Sequence, residues 1–253
     1  MKKSILVTGG TGTLGRVVVR RLLDAGHDVR VLSRRPAPAQ LPHGWTTGDL
    51  RTAVGIDAAT SEVDVVVHCA TTLGRKDVLV TRRLIDAARR NGDPHLVYPS
   101  IVGIDRVPFV YYRAKLEAER LVANSGLPWT VLRTTQFHDM VALMTSVQRR
   151  SPVIGTLSGV DFQPIDVRDV ADRLAELAGG EPAGRVPDMG GPEIRRHRDL
   201  ARAYLNSAGL RRFVLPIWLP GATFSGYRGG EHLAPDRAVG RITFDEFLAE
   251  RER

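Results

Sequence analysis

Val7-Thr8-Gly9-Gly10-Thr11-Gly12-Thr13-Leu14-Gly15 joins an apolar run, Ser4 to Val7, to a helical pattern, Leu14 to Ala25. In that pattern Leu14, Val17, Val18, Leu22 and Leu23 share one face, and Gly26 closes it. The apolar run stops at Thr8-Gly9-Gly10, so it reads as a first strand and not as a signal peptide. Gly9, Gly12 and Gly15 stand at G-x-x-G-x-x-G spacing. The first glycine makes the tight turn out of the strand. The second lets backbone approach a pyrophosphate, and the third lets helix pack close to strand. The backbone from Thr11 through Thr13 and Leu14 then offers helix N-terminal N–H groups to phosphate. This strand–loop–helix predicts a dinucleotide site.

Downstream, strands and helices alternate. Val29 to Leu32, Trp45 to Gly48, Val63 to Cys69, His95 to Tyr98 and Trp129 to Leu132 read as strands, and Lys76 to Arg90 and Tyr111 to Asn124 as helices. Val63 to Cys69 is nearly continuous and β-branched, as in a strand buried on both faces. Such alternation predicts an α/β fold, a doubly wound parallel-sheet Rossmann fold. After about residue 135 the rhythm changes. Gln136 to Gln148, Arg168 to Leu177 (with Asp166 as N-cap), His197 to Leu205 and Phe244 to Glu252 read as helices. Val153 to Leu157 and Phe162 to Ile165 read as short strands, while residues 211–240 resist assignment. We expect a single domain over 1–253, with a dinucleotide-binding core at 1–135. Residues 136–253 would form a smaller C-terminal, mostly substrate-binding lobe, some of it returning to the core.

The 253 residues are 43% hydrophobic and 25% charged, an ordinary globular balance that excludes a disordered chain. No apolar stretch approaches the roughly 18 residues of a membrane span. One cysteine, Cys69, excludes an intramolecular disulfide and a Cys-rich metal site, and a cytoplasmic protein is expected. The net charge is +8, but the arginine pairs are scattered along the chain rather than concentrated as in a nucleic-acid binder. No H-E-x-x-H, Cys/His cluster or paired carboxylates appear, so no metal is predicted, and no G-x-S-x-G elbow supports a hydrolase.

Thr-Gly-Gly-Thr-Gly-x-x-Gly resembles the short-chain dehydrogenase/reductase superfamily, and in particular its atypical, NmrA-like NAD(P)H-binding branch. Gly48-Asp49-Leu50 is similar to the family's Asp-Leu, which holds the adenine. His68-Cys69-Ala70, with Thr71 next, ends the fourth strand where the family lines the cofactor with small residues. Thr134 to Val141 and Gln163 to Ala171 look like later family blocks, so the resemblance spans residues 4 to about 178. It places Gln136, Phe137 and His138 after the sixth strand, as candidates to line the substrate pocket. His138 reads first as a structural residue and second as a substrate contact, and His68 reads as core. Trp218, Phe224 and Tyr227 either roof a substrate site or belong to the core.

Cofactor choice is argued physically. NAD enzymes usually end the second strand in an acid that accepts from the ribose 2′-OH. Here that end is Ser33-Arg34-Arg35, and guanidinium grips a 2′-phosphate that a carboxylate would repel. NADP(H) is therefore favoured over NAD(H), the alternative being that both arginines are surface charge. Tyr111 and Lys115 stand at Y-x-x-x-K spacing, on one helix face, and Ser100 ends the fifth strand. A lysine beside a phenol would lower its pKa from about 10. In the superfamily such a Tyr donates the proton, Ser orients the carbonyl and Lys holds the nicotinamide ribose. The family's active-site Asn is absent, and Asp77 and Thr81 are the nearby polar residues. The expected function is an NADP(H)-dependent oxidoreductase acting on a carbonyl, quinone or aromatic small molecule, in one setting as a secondary-metabolite tailoring step. Neither nucleic acid nor membrane is expected as a partner. The alternative is a non-catalytic NADP-binding redox sensor of the NmrA type.

Overall fold

A computed structural model describes residues 1–251. In chain order the elements begin β1 (Ser4–Thr8), α1 (Thr13–Asp24), β2 (Asp28–Ser33), β3 (Gly44–Thr47) and α2 (Ile56–Thr60). They continue β4 (Val65–His68), α3 (Lys76–Arg90), β5 (His95–Ile101), α4 (Val110–Ala123), β6 (Trp129–Thr134) and α5 (His138–Ser146). Then follow β7 (Val153–Leu157), β8 (Asp161–Phe162), α6 (Val167–Gly179), β9 (Gly184–Arg185), β10 (Arg195–Arg196) and α7 (His197–Ser207). The last are β11 (Phe213–Ile217), α8 (Ala222–Arg228) and α9 (Phe244–Arg251).

The chain forms two compact units. The first comprises Met1–Ser100, Val110–Arg133 and Val170–Pro187. Its seven-stranded parallel sheet runs β3-β2-β1-β4-β5-β6-β9. Chain order reverses between β1 and β4, which pair in register from Ile5↔Val65 to Thr8↔His68. That reversal opens the crevice at the carboxyl ends of the strands where doubly wound sheets bind ligands. All four residues of β4 are buried, as its β-branched run predicts. Leu6, Val66, Leu84 and Leu96 are fully buried in the core that α2, α3 and α4 cover. Asp166 caps α6 through a bond from the Arg168 N–H at 2.8 Å.

The second unit comprises Ile101–Phe109, Thr134–Asp169 and the described residues from Asp188 onward. Its core gathers Val141, Phe162, Leu200, Phe244 and Phe247. Tyr227 packs against this core, while Trp218 is 63% exposed with the Arg228 guanidinium over its ring. The helix predicted from Gln136 begins two residues later, because Phe137 is still extended at ψ 146°. The predicted strand Phe162–Ile165 is shorter. β8 ends at Phe162, and the Gln163 side chain instead bonds the carbonyls of Gly191 and Ala234 and the Ala234 N–H. Residues left unassigned in sequence form β11, which pairs parallel with β7, and α8. No helix among the described residues is long and apolar enough to cross a membrane.

Candidate functional site

The glycine loop follows β1 in the first unit. Gly9 has φ +68°, and a Cβ there would come within 2.6 Å of the Ala70 N. A Cβ on Gly15 would collide with the Gly9 carbonyl. The strand, the loop and the turn after β4 therefore touch backbone to backbone. Gly12 is the N-cap of α1 and contributes no side-chain cap. Its own N–H is used by the Gly9 carbonyl at 2.9 Å. The first turn, Thr13, Leu14 and Gly15, thus has no side chain over it, which is what an anion at a helix N-terminus requires. Leu14 anchors that turn by burying its side chain.

From this loop a cleft of about 630 Å³ runs along the sheet edge, lined by Gly9, Thr11, Gly12, Cys69, Ala70 and Thr71 at one end. Ser33, Arg34, Arg35, Asp49 and Leu50 line it further out. The Ser33 hydroxyl accepts from the Arg35 N–H at 3.2 Å, and the Trp45 indole donates to the Arg35 carbonyl at 3.0 Å, so the end of β2 is braced. Arg34 and Arg35 are exposed. Gly48, quoted in sequence beside Asp49, lines the cleft too, as do Leu32, Arg51, Thr72 and Val80, which were not singled out as site residues. Arg51 and Thr72 each directly follow a residue that was, so reading the strand-end loops one residue further would have found them. A dinucleotide fits this set of residues, since bare backbone, a free helix start and guanidinium groups succeed one another along one cleft.

Beyond the cleft, Tyr111 and Lys115 share α4. Thr71 Oγ1 donates to Asp77 Oδ2 at 2.7 Å, so its contact with the Tyr111 hydroxyl, at 3.5 Å, has the phenol as donor. Asp77 also accepts from the N–H and the hydroxyl of Thr72, pinning the loop after β4. Lys115 is buried, donates to the Pro99 carbonyl at 3.2 Å and lies 4.2 Å from the Tyr98 ring centroid. Burial raises the Tyr111 phenol above its ordinary pKa, and Lys115 offsets only part of this. The lowering expected from Lys115 alone is thus outweighed. Burial lowers Lys115, against the pull of Tyr111 and Asp77.

Ser100 departs from its expected role. It is 3% exposed, and its hydroxyl donates to Glu119, one helical turn beyond Lys115. Glu119 in turn takes Arg133 Nε at 3.2 and 3.1 Å and Nη2 at 2.7 Å. The hydroxyl hydrogen is committed to a buried ion pair and is not free for a substrate carbonyl. His138, expected to line a substrate pocket, is a core residue. It is 0% exposed, bonds the Ile242 carbonyl at 2.9 Å and packs on Phe244 and Phe247. Burial lowers its pKa. Gln136 is buried at 4%, and its carbonyl accepts the Ile165 N–H, while half-buried Phe137 bridges to Ile165. His68 is buried between the Thr8 and Thr81 hydroxyls at 2.7 and 3.1 Å, and burial holds it neutral with a pKa of about 3. Burial pushes the Cys69 thiol up to about 12, so it is not a thiolate at neutral pH. No metal-binding cluster occurs among the described residues.

Residues 9–179 match the NAD(P)H-binding family. A (4-alkanoyl-5-oxo-2,5-dihydrofuran-3-yl)methyl phosphate reductase of Streptomyces griseus is 34% identical over 204 residues, 77% of this chain and 70% of the relative. The chloroplast protein High Chlorophyll Fluorescence Phenotype 244 of Arabidopsis thaliana is 32% identical over 203 residues, 75% of this chain. The match covers 51% of that relative's length. The fold is shared with an NADPH-dependent quinone oxidoreductase from Escherichia coli solved with NADPH, at TM-score 0.85 and 18% identity. That superposition covers 98% of this chain and 100% of the other. An NAD(P)H azoreductase of Xenophilus azovorans is 29% identical over 213 residues, 81% of this chain and 74% of the relative. Glycine loop, cleft and matched span agree: the chain belongs to the NAD(P)H-binding family.

Proposed function

We propose that the protein is an NADP(H)-dependent oxidoreductase that reduces a carbonyl, quinone or related aromatic small molecule. The observation that carries the reading is one cleft running from an uncapped helix N-terminus to Arg34 and Arg35. The first end suits a pyrophosphate, and the second suits a 2′-phosphate. The reductive direction is supported by the reductase among the sequence relatives.

A bound nicotinamide dinucleotide would supply the hydride. The chain's own part is binding, orientation and a proton. Gly9, Gly12 and Gly15 keep the loop low enough for phosphate to meet backbone N–H groups. Tyr111 carries its proton at neutral pH, as a phenol ordinarily does, and its hydroxyl meets Thr71 of the cleft lining, which places it as the donor to a substrate oxygen. Thr71, fixed by Asp77, gives the phenol hydrogen a resting acceptor. Lys115, anchored on Pro99, stands on the same helix face, where its ammonium form would steady developing negative charge. The deciding experiment is single-turnover hydride transfer from NADPH to a panel of quinones and ketones. Tyr111→Phe should slow it by roughly 10²–10⁴ with little change in NADPH affinity. Lys115→Met should damage both. A full rate with Tyr111→Phe would remove the proton-donor role and favour a cofactor-binding sensor.

A further inference from the structure

Two of the adjacent arginine pairs, far apart in the chain, meet in space. Arg149-Arg150 stands shortly before β7 and Arg211-Arg212 directly before β11, and the two strands pair in parallel from Phe213↔Val153 to Ile217↔Leu157. Parallel pairing sets both amino-terminal ends side by side. Arg212 closes the junction, its Nε donating to the Arg149 carbonyl at 3.4 Å and its Nη1 to the Arg211 carbonyl at 2.9 Å. All four arginines are exposed, and none has a carboxylate partner among the described residues. The chain holds 28 acidic residues, yet residues 140–160 and 200–230, which carry both strands, hold none. Beside this charge the sheet presents an apolar face. Val214 packs inward on Ile154, Ala201 and Leu205. Phe213, Leu215 and Ile217 alternate with it and are exposed, Phe213 by 81%. Exposed Val153 stands opposite Phe213, and exposed Trp218 follows the strand. Single apolar residues are ordinary on a surface, whereas a contiguous face with a polar rim marks an interaction site.

We propose that the outer face of the β7–β11 sheet docks the protein on an anionic lipid surface. The Phe213 N–H bonds the Pro152 carbonyl and the Ile217 carbonyl takes the Ser158 N–H, so by alternation Val214 and Pro216 turn their backbone groups to the outer edge of β11. Pro216 has no N–H to give there, which disfavours a further strand from a second copy or a peptide. A two-fold copy seated on the face would bring the unpaired guanidiniums of both chains into one interface. A nucleic acid would neutralise the arginines and leave Val153, Leu215 and Ile217 facing its polar backbone. An anionic bilayer suits both halves. Its phosphates meet the guanidiniums, its acyl boundary takes the aliphatic side chains, and Trp218 belongs at headgroup level. The scattered arginine pairs and the lack of an apolar span lead to no membrane partner, but a surface assembled by strand pairing shows in neither. The face lies wholly in the second unit and stands apart from the NADP(H) reading.

The test is co-sedimentation of the full chain with vesicles of mixed phosphatidylglycerol and phosphatidylcholine, and with vesicles of phosphatidylcholine alone. Binding should require phosphatidylglycerol and fade at about 1 M salt, where the Debye length falls to about 3 Å. Arg149→Gln with Arg211→Gln should weaken it about 25-fold, roughly fivefold for each charge removed from such a surface. Phe213→Ala should weaken it about tenfold by withdrawing apolar area. Arg149→Lys with Arg211→Lys should keep most of the binding, since the lipid field acts on charge, and this pair guards against a folding defect in the glutamine variant. Arg82→Gln with Arg89→Gln, both exposed on α3, removes the same net charge and should cost less than about threefold. No binding to the mixed vesicles overturns the proposal. So does an equal loss in the two glutamine pairs, which would leave only attraction by net charge, and so does full binding by Phe213→Ala. A dimer in sedimentation equilibrium that Phe213→Ala dissolves would assign the face to a second copy instead. Tighter binding to single-stranded DNA or RNA through the same arginines would assign it to nucleic acid.

Discussion

Replacing Glu119 should cost the fold several kcal/mol, because its carboxylate is half of a buried ion pair. Its side chain is 10% exposed and that of Arg133 is 6% exposed, with the pair closed at 2.7 Å. Ser100 donates a further hydrogen bond to the same carboxylate. Glu119→Leu would take the buried carboxylate from the Arg133 guanidinium, and Arg133→Met would take the guanidinium from the carboxylate. Breaking a buried pair from one side costs about 3–5 kcal/mol, because the remaining charge keeps its desolvation cost and loses its partner. At about 2–4 °C per kcal/mol for a chain of this size, each single variant should lose roughly 6–20 °C in Tm. The double variant should lose less than either single one, since two apolar side chains of similar volume leave no charge behind. Ser100→Ala, which deletes one bond to a charged acceptor, should cost about 1.5–3 kcal/mol and leave hydride transfer nearly intact. The assay is a double-mutant cycle by thermal and urea unfolding, with single-turnover rates on Ser100→Ala. Additive single losses would show that the two side chains do not interact. A rate loss of 10² or more in Ser100→Ala without loss of stability would restore Ser100 to the reacting centre.

Three further outcomes are expected. Arg34→Ala with Arg35→Ala should weaken NADPH binding at least tenfold and barely affect NADH, since each charged hydrogen bond lost is worth on the order of 1.5–3 kcal/mol; calorimetry with both cofactors checks it. Gly12→Asp should abolish dinucleotide binding while the chain stays folded, because Gly12 is an exposed N-cap and a carboxylate there faces the pyrophosphate; undiminished affinity would remove the basis of the cofactor site. Stability should fall as pH drops below about 6.5. Burial holds His68 at about 3 and His95, His197 and His232 at about 4, so each protonates first in the unfolded chain. Each then withdraws up to about 1.4 kcal/mol per pH unit until its folded pKa is reached. A urea midpoint unchanged between pH 7.5 and pH 5 would refute this.

What could be read from sequence divides by the kind of interaction that encodes it. β1, β4 and α1 were legible because burial on both faces of a parallel strand, or on one face of a helix, writes itself as local periodicity. α2 is five residues long and carries too few turns to show a period. β11 was illegible for a different reason. Its Phe213, Leu215 and Ile217 are exposed, Pro216 interrupts it, and it pairs with β7 about sixty residues earlier. Nothing local marks such a strand.

The site divides in the same way. The glycine loop is a backbone device, and its constraint is a missing Cβ at Gly9 and Gly15, so sequence alone displays it. Ser100 and His138 are side-chain devices, and their meaning depends on partners the chain supplies elsewhere. Ser100 at a strand end looks like a ligand contact until Glu119, nineteen residues on, takes its hydrogen. His138 looks like a pocket residue until Ile242, Phe244 and Phe247 close around it from more than a hundred residues away. The arginines show the boundary most clearly. Seven adjacent arginine pairs are equivalent in sequence, and the position of Arg34-Arg35 after β2 is what singles out one of them. Arg51 belongs to no pair, yet it lines the same cleft. Charge density along a chain therefore says little about cofactor choice. What brings a guanidinium to the cofactor cleft is the strand end that it follows.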